Sequence, residues 1–97
     1  MAAGDVYNIA PASVANAAYM TMQPAGTVEA VIHNILVPEG TAWSLHAYDG
    51  TDDILIGRYV TSLFNMQLHT TNGSYYRALN DSGAAAIMSV DGIVTHA

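Results

Sequence analysis

The apolar positions of this chain recur every second residue, between turn signals that come at short and regular intervals. Ala18-Tyr19-Met20-Thr21-Met22-Gln23 alternates and is stopped by Pro24-Ala25-Gly26. Alternation at period two is the mark of a strand with one buried face. Val28 to Val37 is the longest apolar run and is rich in β-branched residues. Its two faces, Val28, Ala30, Ile32, Asn34, Leu36 and Glu29, Val31, His33, Ile35, Val37, are both mostly apolar, which predicts a central strand or one covered on both sides. Ala42 to Tyr48 sets Trp43, Leu45 and Ala47 on one face and Ser44, His46 and Tyr48 on the other, and Asp49-Gly50 follows as a hairpin turn.

Further strands are predicted over Ile54 to Tyr59, Met66 to Thr70, Tyr75 to Asn80, Ala85 to Val90 and Ile93 to Thr95, with turns at Asn72-Gly73, Asp81-Ser82-Gly83 and Asp91-Gly92. About eight short strands with turns every eight to twelve residues predict an all-β antiparallel sandwich or jelly roll. Only Pro11 to Ala18 carries helix-friendly alanines, and it is too short to form a helix alone. The expected organisation is an N-terminal arm over residues 1–17 and a β-sandwich domain over 18–97. The three prolines, Pro11, Pro24 and Pro38, are expected in loops.

Composition changes this picture mainly through charge. Ninety-seven residues make one domain. Charged residues are only 10% of the chain, against about 25% in an average soluble domain, while hydrophobic residues reach 52%. A monomer this small leaves much of its chain wet, so scarce charge favours a subunit whose surface is largely covered. Edge strands point the same way. Natural sheets guard exposed edges with charge, above all lysine, and this chain has no lysine. An oligomer is therefore expected.

The only basic residues are Arg58 and Arg77, and the net charge is −6. No basic stripe is available to neutralise phosphates, so neither nucleic acid nor an anionic membrane is an expected partner. There is no cysteine for disulfides or thiolate metal sites. The start Met1-Ala2-Ala3-Gly4-Asp5 lacks the positive segment of a secretory signal, and no apolar run approaches a membrane span.

Candidate chemistry is sparse. His33, His46, His69 and His96 show no HxH or HxxxH spacing, and half-buried strand histidines bonded to the backbone are the expected reading. Asp49-Gly50-Thr51-Asp52-Asp53 lacks the sixth-position glycine and twelfth-position glutamate of a calcium loop. There is no GxSxG and no phosphate-cradling loop, and no spacing links the serines to the histidines. No enzyme, catalytic residue, metal or cofactor is expected. Trp43 with Tyr48, Tyr59, Tyr75 and Tyr76 suits either a core or a sugar-stacking platform.

Five segments, taken in order, resemble small virion proteins of tailed bacteriophages, particularly those of marine bacteria, of the capsid decoration (cement) or head-fibre type. They are Gln23-Pro24-Ala25-Gly26, Val31-Ile32-His33-Asn34-Ile35, Tyr48-Asp49-Gly50-Thr51, Ser74-Tyr75-Tyr76-Arg77 and Val90-Asp91-Gly92, spanning roughly residues 19–95. The resemblance implies a structural protein on the exterior of a phage head, synthesised in the host cytoplasm. It would bind the major capsid protein, often as a homotrimer, and the family offers no catalytic residues to carry over. The expected subunit or capsid interface comprises Val6, Tyr7, Ile9, Tyr19, Met20 and Met22, the first three on an arm that lies on a neighbouring subunit. The alternative is a fibre or receptor-binding module that touches host glycans, with Trp43 and Asp52 as the surface contact.

Overall fold

Alternating side chains become alternating burial in a computed structural model that describes residues 2–97. Strand β1 spans Val6–Val14, β2 Tyr19–Met22, β3 Glu29–Leu36 and β4 Trp43–Tyr48. Then come β5 Asp53–Tyr59, β6 Leu68–Thr70, β7 Tyr75–Asn80 and β8 Ala86–His96. In β2, Met20 and Met22 point inward between exposed Tyr19 and Thr21. In β4, Trp43 and Leu45 are core residues at 1% and 2% exposure.

The strands form two four-stranded antiparallel sheets, ordered β1-β8-β3-β6 and β2-β7-β4-β5. Every connection except the β4–β5 hairpin crosses from one sheet to the other. That interleaving makes the sandwich a jelly roll. Between the sheets lies one core, built on Trp43, Met22, Ile32, Ile35, Leu45, Met88, Val90 and Val94. Its buried polar groups are satisfied. Thr70 donates from Oγ1 to the Met22 carbonyl, and the Asn80 amide donates to the carbonyls of Val14 and Ala84, both at 2.8 Å.

Three expectations change. Residues 6–14 are not an arm: β1 is hydrogen-bonded along β8, and Tyr7 is buried at 8% exposure. β8 offers an unpaired edge, and covering it satisfies its backbone while Tyr7 joins the core. (Met1 lies outside the described residues.) Pro11 accordingly stands in a strand, not a loop. It is accommodated because β1 is an edge and its register slips between Ile9 and Ala12.

Asp91-Gly92 is likewise not a turn, because β8 runs through it with partners on both sides. Glycine is needed there for close approach: a Cβ would collide with the Val31 carbonyl oxygen. Nearby, β3 slips register between Ile32 and Asn34, so the inward set reads Ala30, Ile32 and Ile35. β3 is central, as expected, but only one of its faces is buried. The bulge explains why both faces looked apolar: the inward side changes parity at His33.

Candidate functional site

The outer face of the second sheet carries a polar network that strand pairing assembles. Ser44 and His46 are two apart on β4 and so share a face. Tyr48 stands opposite Asp53 on β5 and Tyr75 on β7, and Arg77 stands opposite His46. His46 Nδ1 lies 2.9 Å from Asp53 Oδ2 and its Nε2 lies 2.8 Å from Ser44 Oγ. A carboxylate accepts only, so Nδ1–H donates to Asp53; in the neutral ring Nε2 then accepts from the Ser44 hydroxyl.

Arg77 completes the network. Its Nη2 donates to Asp53 Oδ1 at 3.1 Å, and its guanidinium is clamped between the rings of Tyr19 and Tyr48, 3.9 and 3.7 Å from their centroids. Such stacking suits a planar, weakly hydrated cation. Desolvation pushes the Asp53 carboxyl up, but hydrogen bonds and charge from Arg77 and His46 outweigh it and hold the group below its ordinary value.

Ser44, His46 and Asp53 therefore stand in the bonding order of a hydrolytic triad. The expectation that no serine is linked to a histidine is corrected: the Ser-x-His spacing on a strand was the available signal, and Asp53 arrives only through the hairpin register. Two requirements of acyl transfer are nevertheless missing around Ser44. Its residue is 3% exposed and His46 8% exposed, so a substrate has no approach. β4 is paired with β5 and β7 on its two sides, so its backbone N–H groups face neighbouring strands, not a substrate cleft. The network joins β4, β5 and β7 across one sheet face.

The second candidate surface is apolar. β5 is an edge strand on which Ile54, Leu55 and Ile56 are exposed at 64%, 41% and 47%. Exposed Val60 and Phe64 continue it into the next connection. Two open cavities of about 420 and 480 Å³ adjoin this segment, sharing Val60 and Thr61. The larger lies beside Trp43 and Tyr59, whose rings are tilted against each other with centroids 5.1 Å apart, with Arg58 and Asp81 also lining it.

Of the expected interface residues, Val6 and Tyr19 are exposed, Ile9 packs against the core, and Tyr7, Met20 and Met22 lie within it. Trp43 and Asp52 are not brought together. Trp43 is buried, donates from Nε1 to the Thr61 carbonyl at 2.9 Å, and pairs with Tyr59 at one end of the hairpin. Asp52 belongs to the turn at the other end, where Asp49 Oδ1 accepts from the N–H groups of Thr51 and Asp52.

The histidines stand apart. His33 and His96 bond the carbonyls of Met66 and Thr27, while His69 bonds Glu29. Among the described residues, no three of His, Asp and Glu gather as a metal set. The β5 patch escaped sequence reading, because an apolar strand looks alike at an edge and in a sheet centre.

No family model matches the chain, and no curated protein matches it. Among solved structures it is similar to the crystal structure of Drosophila NLP-core, a protein described for pentamer formation and histone binding. The likeness covers 92% of this chain and 96% of that one, at 13% identity and a TM-score of 0.52, and so concerns the fold alone.

Proposed function

We propose that this chain is a structural subunit of a phage particle, a decoration protein that binds the major capsid protein on the outside of the head. The observation that carries the reading is the exposed apolar surface. Five large apolar side chains stand out of the 11 residues from Ile54 to Phe64, in a protein whose charged residues are too few to keep such a patch wet without cost. A partner surface that covers the patch gains roughly 25 cal/mol per Å² before association costs. Many copies on one shell then add their small contributions.

Self-association belongs to the same reading. NLP-core, on a similar fold, is described for pentamer formation, which supports a fold that works as an oligomer. The glycan-binding alternative finds no support in the geometry, since Trp43 is buried and Asp52 is remote from it.

The test is co-pelleting of the purified protein with heads of its parent phage stripped of accessory proteins. Saturable binding that protects the heads against rupture is expected. Failure to pellet with either expanded or unexpanded heads rejects the proposal.

A further inference from the structure

Four strands form the edges of this sandwich, and three of them are guarded. β2 and β6 have only four and three residues, and β1 carries Pro11 at a break in its register. β5 has seven residues and no proline. Its outer side leaves backbone N–H and C=O groups unpaired, which is a template for another strand. Its guards are the bulge at Ile56 and the charges of Asp53 and Arg58 near its two ends.

The order of residues along β5 says which strand would fit. Acidic Asp52 and Asp53 precede the apolar centre Ile54-Leu55-Ile56, and basic Arg58 follows it. A strand with opposite charges at its two ends complements itself when antiparallel. We propose that β5 pairs with β5 of a second copy of this chain about a two-fold axis at Leu55. Counting Ile56 within the register sets Asp52 opposite Arg58 of the second copy. Letting Ile56 bulge out sets Asp53 there instead.

Either way both ends of the paired strands carry opposite charges, and cross-strand pairs of this kind are favourable. Asp53 is already held by His46 and Arg77, so Asp52, exposed at the turn, is the acid free to answer Arg58. Arg58 likewise has no ion-pair partner among the described residues. Pairing would join the two β2-β7-β4-β5 sheets into one continuous sheet of eight strands. A two-fold contact is isologous and makes a dimer, in place of the trimer implied by the phage resemblance. The pairing takes Ile54-Leu55-Ile56 for the second copy and leaves exposed Val60 and Phe64 to a capsid partner.

Sedimentation velocity on the intact chain tests it. At micromolar concentration the expected species has twice the 10.2 kDa chain mass. Leu55→Lys, at an exposed position, is expected to raise the dimer dissociation constant by about tenfold or more while circular dichroism at a dilution where both chains are monomeric stays unchanged. Arg58→Glu is expected to weaken the dimer too, and adding Asp52→Arg to it to restore the dimer. A chain that stays monomeric at all concentrations overturns the inference. So does an oligomer indifferent to Leu55→Lys and to charge reversal. Co-pelleting with phage heads is measured on the unmodified chain, which binds or fails to bind whether it is monomer or dimer, so the two readings fail separately.

Discussion

At the scale of single residues, the positions that matter most are those where one atom decides whether two strands can meet. Gly92 stands where a methyl group would overlap the Val31 carbonyl oxygen, at the bulge of β3. Gly92→Ala is therefore expected to cost about 1–3 kcal/mol, the range for overpacking a closed site, read as a lower urea midpoint at unchanged slope. A midpoint unmoved by the substitution would mean that β3 and β8 are further apart than described. Asp53 works through charge. Its depressed pKa stabilises the fold above the unfolded value of 3.8, and that contribution is lost as pH falls through the lower folded value. Comparing the chain with Asp53→Asn across pH, the gap in unfolding midpoint should be constant above about pH 5 and close below about 4. A gap that widens on acidification contradicts the network.

Elements were legible where local pattern and tertiary need agree. β2, β4 and β7 follow directly from alternation bounded by turn residues, with no proline to interrupt them, whereas β5, apolar at three successive positions, is legible only from its length and the Asp49-Gly50 turn before it. β1 was not legible, since Pro11 and its alanines speak for a loop and only the open edge of β8 makes the segment a strand. The sequence of β8 reads as two pieces because Asp-Gly ordinarily turns the chain, and nothing local tells a hairpin glycine from one required by a neighbouring strand. The Ser44–His46–Asp53–Arg77 network was half visible, its β4 members sharing a face and the rest depending on register. The status of β1 is measurable. If β1 is part of the sandwich, Tyr7→Ala costs about 3 kcal/mol, as core aromatics do, whereas on a loose arm it would change stability by less than about 0.5 kcal/mol.

For the whole molecule, the jelly-roll order governs how the chain can fold and what it exposes meanwhile. Only β4 and β5 pair as neighbours in sequence, while β1 waits for β8 at the far end of the chain. Long loops must close before most contacts form, so refolding monitored by Trp43 fluorescence is expected in milliseconds to seconds, not microseconds. During that interval the early β4–β5 hairpin offers two open edges, one of them the apolar Ile54-Leu55-Ile56 side that stays open in the finished monomer. Transient edges of this kind aggregate at micromolar concentration. The refolding yield of the unmodified chain should therefore fall as concentration rises, and Leu55→Lys, which puts a charge on the edge, should recover it. Equal yields for the two chains would show that the edge is already covered when the hairpin forms, and that β5 is less accessible than its exposure in the folded monomer implies.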